Sequence, residues 1–436
     1  MNAMMSLKVD MGRRELLRLA GLAGIGAAFL PRLAWAAGQP DISPKVSALI
    51  ARWVGPGKFP GMVAALGLPG QETRFLIGGT DSFTDFDPQG ADSLYRIYSM
   101  TKPITGMAAM LLIGEGKLAL DQPLADILPK FAHMQVQKTY DGSITDLEPA
   151  KSPITIRELV THTSGIGYSI IQRGPIREAF IDAGLVAGQV SRTKVPGLDR
   201  GQPVKSLALF ADGLAGMPLV YQPGTHWSYS NGLDLMGRVI EVVSGQSFDA
   251  FLKERLFDPI GMTSTFFQVP AGDAKRLTTN YGVVAGNLIP IDPGDTSIYL
   301  DKPPFPSGGA GLVSSPRDYD RFLLMLAGYG QIAGKRVIPE AAVRQGTGNL
   351  LPPGVAGPAL MSPASDFGAG GRVGRGTEEG IYGWAGAAGT VATVDMKRGI
   401  RSGIYVQFMP PNALPLLGEY QQALHADIMG LVEKHA

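Results

Sequence analysis

Two segments of the chain have the spacing Ser-x-x-Lys, which can place a hydroxyl nucleophile beside an amine. They are residues 99–102 (S-M-T-K) and residues 191–194 (S-R-T-K). On a helix, residues three apart lie one turn apart on the same face. A neutral lysine there can take the serine proton, and a charged one can stabilise the alkoxide. The spacing therefore indicates covalent catalysis by serine, but it does not say which copy would be used.

The residues around the two copies favour the first. Apolar positions at helical spacing follow Lys102, which predicts a helix from Ser99 to about Glu115. Pro103 has no N–H, so Ser99 is expected at the helix start, among free backbone N–H groups and at the positive end of the helix dipole. The second copy is followed at once by residues 195–197 (V-P-G), which end a helix. Ser99 as an ordinary helix cap explains this motif equally well.

A tyrosine could supply the base. Tyr229 follows a turn, and Asn231, two residues later, begins the next predicted helix. A tyrosine hydroxyl ordinarily has a pKa near 10, so it serves as a base only beside a cation such as Lys102. A buried tyrosine with a satisfied hydroxyl is the alternative interpretation.

The segment 384–387 (W-A-G-A) is predicted to close the pocket as a strand edge, just before a strand at residues 389–395. Its small residues would let the backbone approach an acyl group closely. The N–H of Ala387 could then be a second oxyanion donor beside that of Ser99. Trp384, Gly386, Ala387 and Asn231 are accordingly predicted to bind the substrate or its oxyanion.

Composition excludes several other chemistries. The chain has 436 residues, no Cys, 5 His and a formal net charge of +1. Without Cys there is no thiolate nucleophile, iron–sulfur cluster or Cys-ligated zinc. The sequence contains no H-E-x-x-H, no G-x-S-x-G and no phosphate-binding glycine loop. We therefore expect no metal, no cofactor and, from the charge, no nucleic-acid partner.

The N-terminal residues predict export. Arg13 and Arg14 precede an uncharged stretch at residues 19–30, and residues 34–36 (A-W-A) suit signal cleavage. Residues 1–36 therefore resemble a twin-arginine export signal, which implies a periplasmic protein beginning near Ala37. An amphipathic helix with an incidental arginine pair is the alternative. The apolar stretch is too short to span a bilayer, and no later stretch suits a membrane span. The sequence gives no oligomeric state.

The remaining pattern predicts strands at both ends of the chain and helices between them. Strands are expected at residues 62–68, 73–78, 94–98, 389–395 and 403–408, and a surface loop at 287–306. Helices are expected at residues 46–54, 99–115, 155–161, 207–214, 231–243, 248–256, 316–327 and 414–435. We therefore predict an α/β domain from residues 37–98 with 275–436, and a mainly helical domain from residues 99–274.

Taken together, the motifs resemble the serine hydrolases of the class C β-lactamase fold, and most closely the class VIII carboxylesterases. The matching segments are S-M-T-K-P-I-T-G from residue 99, I-T-I-R-E-L-V-T-H-T-S-G from 154, P-G-T-H-W-S-Y-S-N from 223, D-P-I-G-M from 258, G-A-G-L-V-S from 309 and W-A-G-A-A-G-T from 384. The resemblance implies a β-lactamase/transpeptidase-like fold, in which helices flank an antiparallel sheet and an all-helical domain is inserted, with the site in the cleft between them.

The resemblance also implies roles for individual residues. It makes Ser99 the nucleophile, Lys102 its activator and Tyr229 the general base and later acid. Trp384 and Gly386 then form the W-x-G that replaces the third motif of the β-lactamases. His162, in the T-H-T-S-G segment, is given a structural role because the mechanism has no place for it.

Trp384 stands where the β-lactamases have a lysine, and this departure decides the expected substrate class. A substrate carboxylate would lose a charge-assisted hydrogen bond of about 1.5–3 kcal/mol there, whereas an apolar wall suits a neutral ester. We therefore predict a serine carboxylesterase that cleaves small or short-chain esters through a Ser99 acyl-enzyme. The alternatives are a β-lactamase or DD-peptidase, an acyltransferase or amide hydrolase, and a binding protein that has kept the fold without catalysis.

Overall fold

The computed structural model of the protein describes residues 42–186, 188–193, 201–358 and 365–433. The predicted export signal, residues 1–36, lies outside the described residues. So does Lys194 of the second Ser-x-x-Lys segment. Within the described ranges, no helix combines the length and apolar character needed to cross a membrane.

A seven-stranded antiparallel sheet joins the two ends of the chain. Its strands are β1 (Gly61–Gly67), β2 (Arg74–Gly79), β12 (Ser365–Phe367), β13 (Arg372–Gly374), β14 (Ile381–Ala385), β15 (Val391–Asp395) and β16 (Arg401–Tyr405). Their order in the sheet is β12-β13-β14-β15-β16-β1-β2, so that β1, from the N-terminal part, lies between β2 and β16. The predicted hairpin at residues 62–78 and the two predicted C-terminal strands are thereby confirmed.

Helices cover both faces of this sheet. The helices of the described residues are α1 (Pro44–Trp53), α2 (Thr101–Gly114), α3 (Ile156–Val160), α4 (Gly174–Asp182), α5 (Leu207–Ala215), α6 (Gly232–Ser244), α7 (Phe248–Leu252), α8 (Asp258–Ile260), α9 (Pro316–Ala327), α10 (Glu340–Gly346) and α11 (Leu416–Glu433). Helices α1 and α11 lie on one face of the sheet and α9 on the other, so every residue of β1 is buried. A π-helical turn, Lys253–Phe257, joins α7 to α8 where the sequence predicted one uninterrupted helix.

Smaller sheets hold the segments around the cleft. Their strands are β3 (Tyr95–Arg96), β4 (Gln135–Gln137), β5 (Leu147–Pro149), β6 (Thr265–Phe266), β7 (Asn280–Val284), β8 (Asn287–Asp292), β9 (Val313–Ser314), β10 (Gln331–Ile332), β11 (Lys335–Arg336) and β17 (Phe408–Met409). In the order β3-β9-β6, β9 pairs with both neighbours. This pairing brings the chain entering Ser99 beside the segment 307–314, which lies more than 200 residues later.

The prediction of a loop at residues 287–306 is wrong in its first third. Residues Asn287–Asp292 form β8, which pairs antiparallel with β7. Pro290 misled the prediction because proline disfavours inner strands, yet β8 is an edge strand, where a missing N–H costs no ladder hydrogen bond. The predicted domain boundaries stay a prediction, since one apolar core runs through both parts of the chain.

Candidate active site

Ser99 lies in a single 3₁₀ turn, Tyr98–Met100, directly before α2. The sequence predicted that the α-helix begins at Ser99, and this is wrong by two residues, because α2 begins at Thr101. Tyr98 has a φ of +40°, a conformation that is rare for residues other than glycine and is often found at functional sites. Ser99 is partly exposed, while Tyr98 and Met100 on either side of it are buried. The turn therefore presents the serine hydroxyl at the surface of an otherwise buried segment.

Lys102 is fully buried and its ammonium nitrogen contacts the serine. Its Nζ donates to the Ser99 Oγ at 3.4 Å and to the carbonyl oxygen of Gly309 at 2.7 Å. The same nitrogen lies 4.4 Å from the centroid of the Tyr229 ring and 6.0 Å from that of Tyr168. These aromatic faces favour positive charge on the lysine. The structure thus brings Ser99, Lys102 and Tyr229 together, as the sequence predicted.

Tyr229 is half-buried, and Trp384 contacts it directly. The Trp384 Nε1–H donates to the Tyr229 hydroxyl at 3.2 Å, and the two rings stack with centroids 5.9 Å apart. The sequence suggested only an apolar wall for Trp384, so this hydrogen bond is an addition. The indole N–H therefore fixes the position of the phenol oxygen of Tyr229 beside the site.

Trp384 lies inside a strand of its own, β14, and not in a segment before β15 as predicted. Strand β13 pairs with β14 only as far as Gly383. The residues from Trp384 onward therefore extend past the end of their neighbour and form a local sheet edge. The predicted sheet edge is present, but β14 supplies it. This strand was not predicted because it is too short to show a clear alternation of apolar residues.

Gly386 allows this edge to approach the turn that holds Ser99. A Cβ at this position would lie 2.4 Å from the carbonyl oxygen of Ile97 and 2.2 Å from the Thr390 hydroxyl. Ala387 follows in the turn between β14 and β15 and is half-buried. Its N–H as an oxyanion donor stays a prediction, with the close approach at Gly386 in its favour.

Asn231 is fully buried, and its amide nitrogen donates to the Gly167 carbonyl at 3.1 Å. Its Oδ1 is buried with no hydrogen-bond partner among the described residues. The nitrogen is thus committed to the backbone of Gly167. The role of Asn231 in substrate binding stays a prediction.

His162 is fully buried beneath Tyr229, with ring centroids 4.7 Å apart. The backbone N–H of Ser230 donates to its Nδ1 at 3.2 Å, so this nitrogen carries no proton. Burial, and then the charge on Lys102, hold the pKa of His162 well below its ordinary value. The ring is therefore neutral and supports Tyr229 from below, in keeping with the structural role implied by the resemblance.

Sequence reasoning missed Asp234 and Tyr168. Asp234 lies in the first turn of α6 and is fully buried next to the segment that binds Lys102. An acid flanked by apolar residues directly after Y-S-N was the available signal. For Tyr168 the sequence offered no signal, because its ring reaches the site only through the fold.

The second Ser-x-x-Lys segment forms no helix in its described part, residues 191–193. The Ser191 hydroxyl contacts that of Thr193 at 3.0 Å, and Arg192 donates to Asp301 and to the Ser297 carbonyl. These exposed contacts are those of a surface turn. Within the described residues, no group of acidic or histidine side chains could hold a metal ion.

Comparison with known proteins agrees with this geometry. Residues 46–427 match the family model described as Beta-lactamase, so the chain belongs to that family. The family, the helix-flanked antiparallel sheet and the similarity to solved structures together confirm the predicted β-lactamase/transpeptidase-like fold.

Among curated relatives, the chain is 34% identical over 277 residues to Protein Rv1367c from Mycobacterium tuberculosis, covering 63% of this chain and 64% of that protein. It is 29% identical over 282 residues to Esterase EstB from Burkholderia gladioli, covering 60% and 65%. The chain thus matches less than two thirds of the length of these relatives. A similar solved structure is "EstCE1, a hydrolase with promiscuous acyltransferase activity", with a TM-score of 0.70 and 22% identity over 88% of this chain and 98% of that one.

Proposed function

We propose that the protein is a serine esterase that cleaves small neutral carboxylic esters through a Ser99 acyl-enzyme. The observation behind the proposal is the hydrogen bond from the buried Lys102 Nζ to the partly exposed Ser99 Oγ. A buried amine against an accessible hydroxyl is the arrangement that activates a serine nucleophile. The similarity to Esterase EstB supports ester hydrolysis as the reaction class.

The reaction proceeds in two halves. The Ser99 Oγ forms a bond to the ester carbonyl carbon while its proton passes to the Lys102–Tyr229 pair. The backbone N–H groups of Ser99 and Ala387 bind the oxyanion. The bond to the leaving oxygen then breaks as Tyr229 returns the proton to the alcohol. Water attacks the acyl-enzyme in the second half, which releases the carboxylic acid and restores the serine.

The lining of the site supports a neutral substrate. Phe367 packs edge-on against Trp384 at 5.2 Å, and Trp227 lies 5.6 Å from Phe367. The fully buried Phe367 thus supports Trp384, whose ring beside Tyr229 favours apolar groups and offers a substrate carboxylate no charged partner. We therefore propose that the substrate is a small ester without a carboxylate beside the scissile bond. We also propose that the protein is exported to the periplasm through residues 1–36.

A fluorophosphonate probe, read by intact mass, tests the nucleophile first. We expect one adduct on the full-length protein, and peptide mapping should place it on Ser99. Ser99→Ala should take no label, whereas Ser191→Ala should be labelled as fast as the unmodified protein. Labelling of Ser99→Ala at an unchanged rate would overturn the assignment.

Substrate class follows from turnover. We expect hydrolysis of p-nitrophenyl acetate and butyrate to exceed that of nitrocefin by at least tenfold in kcat/KM. Comparable nitrocefin turnover, or stoichiometric labelling by a fluorescent penicillin, would favour the β-lactamase or DD-peptidase alternative.

Acyl transfer is a second candidate, favoured by the similarity to EstCE1, a hydrolase with promiscuous acyltransferase activity. Adding a short alcohol to the ester assay distinguishes the two. A hydrolase forms mostly carboxylic acid, whereas an acyltransferase forms mostly the new ester even when water is in large excess.

A further inference from the structure

Asp234 is a buried acid that the mechanism above does not use. Its Oδ1 accepts hydrogen bonds from the Ser307 hydroxyl at 2.5 Å and from the backbone N–H of Gly309 at 2.9 Å. Its Oδ2 is buried with no hydrogen-bond partner among the described residues. Both hydrogen bonds stabilise the ionised form of this carboxyl group over the protonated form. A buried carboxylate is costly unless an opposite charge lies near it.

Lys102 supplies the opposite charge, and a single residue, Gly309, hydrogen-bonds to both side chains. The N–H of Gly309 donates to Asp234, and the carbonyl of Gly309 accepts from Lys102 Nζ at 2.7 Å. Burial raises the pKa of Asp234, and the charge on Lys102 is the strongest influence that lowers it again. The two side chains therefore interact through the buried interior, where electrostatic effects are weakly screened.

Glycine at position 309 is what allows this approach. A Cβ there would lie 2.4 Å from the Asp234 Oδ2. Any side chain would force the carboxylate away from the turn. The sequence G-A-G-L-V-S therefore has a packing reason at its first residue.

The turn itself is fixed to the helix that carries Lys102. The Thr105 hydroxyl donates to the Gly308 carbonyl at 2.7 Å, and the N–H of Leu312 donates to the Thr101 hydroxyl at 3.2 Å. Thr101 and Thr105 lie on either side of Lys102 in α2. The distance between Asp234 and Lys102 is thus set by four anchoring hydrogen bonds, two to Asp234 and two to α2.

We propose that Asp234 is a positioning residue that stabilises positive charge on Lys102 and holds the Gly309 carbonyl against it. The proposal rests on the proposed function, in which Lys102 serves Ser99. The groups facing Lys102 are the Ser99 hydroxyl, the Tyr168 and Tyr229 rings, neutral His162 and Asp234. Of these, Asp234 is the acidic group.

The substitution Asp234→Asn tests the charge, because it keeps the shape and one acceptor oxygen. Without the carboxylate, a positive charge on Lys102 loses its opposite charge. The basic limb of the kcat/KM profile should then move to lower pH by about one unit. We expect kcat to fall about tenfold and KM to change less than about threefold, since Asp234 does not reach the substrate.

The rate of fluorophosphonate labelling against pH gives a second readout that needs no turnover. If the unmodified protein takes no label at Ser99, the proposed function fails. If it is labelled but Asp234→Asn gives the same pH dependence, only the inference about Asp234 is overturned.

Asp318 offers a matched control in another helix. It lies in the first turn of α9, is buried, and accepts from the Ser264 N–H at 2.6 Å and the Thr265 hydroxyl at 2.9 Å. Asp318→Asn should cost stability in the same way but leave both pH profiles unchanged. If both Asn variants lose activity only in proportion to their lost stability, Asp234 has a purely structural role and the proposal is wrong.

Ser307→Ala keeps the proposal testable if Asp234→Asn does not fold. Without the hydroxyl donor the carboxylate binds its own proton more readily, and the turn loses one anchor. We expect a shift of the same limb in the same direction, smaller than that of Asp234→Asn. A folded Ser307→Ala protein with an unmoved limb would contradict the proposal.

Discussion

The two Ser-x-x-Lys segments have the same spacing and very different surroundings. In the first, a buried lysine donates to a partly exposed serine, and aromatic rings lie over its ammonium group. In the second, the described residues 191–193 form no helix, and the hydroxyl of the partly exposed Ser191 contacts that of Thr193. The difference teaches that the spacing permits the chemistry, whereas burial of the amine beside an accessible hydroxyl creates it.

The reason is electrostatic. The buried Lys102 interacts with the nearby hydroxyl through a medium of low dielectric and has few alternative partners. Four comparisons of variants can break or sharpen this contrast.

Removing the two hydroxyls should give the largest difference. Ser99→Ala should lower kcat for p-nitrophenyl butyrate by about 10⁴-fold or more, because no acyl-enzyme can form. Ser191→Ala should stay within about twofold of the unmodified protein, a margin usual for an exposed turn. Initial rates with purified full-length variants measure both. Equal losses in the two variants would remove the contrast.

Removing the two amines should give the next effect. Lys102→Met keeps the length of the side chain without its charge, and kcat/KM should fall about 10³-fold because the Ser99 oxygen loses the buried cation that stabilises it as its proton leaves. Lys194→Met should have no measurable effect on kcat/KM. Circular dichroism of both variants excludes unfolding as the cause. A Lys102→Met enzyme with more than a tenth of the original activity would contradict the role of the lysine.

Removing the donor to Tyr229 should give a smaller effect. Trp384→Phe keeps an aromatic ring but deletes the N–H that donates to the Tyr229 hydroxyl. We expect kcat to fall about tenfold, the value of one hydrogen bond to a group that becomes charged. Trp227→Phe is the control, since its ring lies in the same aromatic cluster, 6.2 Å from that of Tyr229. Matching losses in the two variants would point to packing rather than to the donor.

The smallest effect is on the pH dependence of stability, and it tests whether water is excluded from the interior around Lys102 and His162. His162 has a pKa well below its ordinary value, first because of burial. Below about pH 6.5 the unfolded chain therefore binds a proton at this residue that the folded protein does not. As the pH falls, this group should lower the free energy of unfolding by up to about 1.4 kcal/mol per pH unit. Urea unfolding between pH 7.5 and 5.5 measures the change.

The control for this measurement is a second histidine. His162→Gln should reduce the slope of stability against pH, whereas His226→Gln should leave it in place, because His226 is exposed to water. An unchanged slope in His162→Gln would mean that the interior beneath Tyr229 is wetter than its burial indicates.

The sequence by itself determined much of this protein. Apolar periodicity predicted helix α9, Pro316–Ala327, to the residue. Spacing and local context made Ser99, Lys102 and Tyr229 candidates, and the resemblance of the short motif segments to a known family implied their roles. The hairpin of β1 and β2 followed from two apolar runs around a Pro-Gly turn.

Other features were decided only by the tertiary structure. Periodicity did not predict β14, because its role depends on pairing with β13 and β15, nor β8, whose proline is tolerated only at a sheet edge. The start of α2 moved from Ser99 to Thr101 because the strained Tyr98 turn packs against residues far along the chain. Asp234 and Lys102 are 132 positions apart in the sequence, and Gly309 joins them from a third segment. Local sequence specifies residue types and elements, but a buried charge acquires its partners only when distant segments exclude water together.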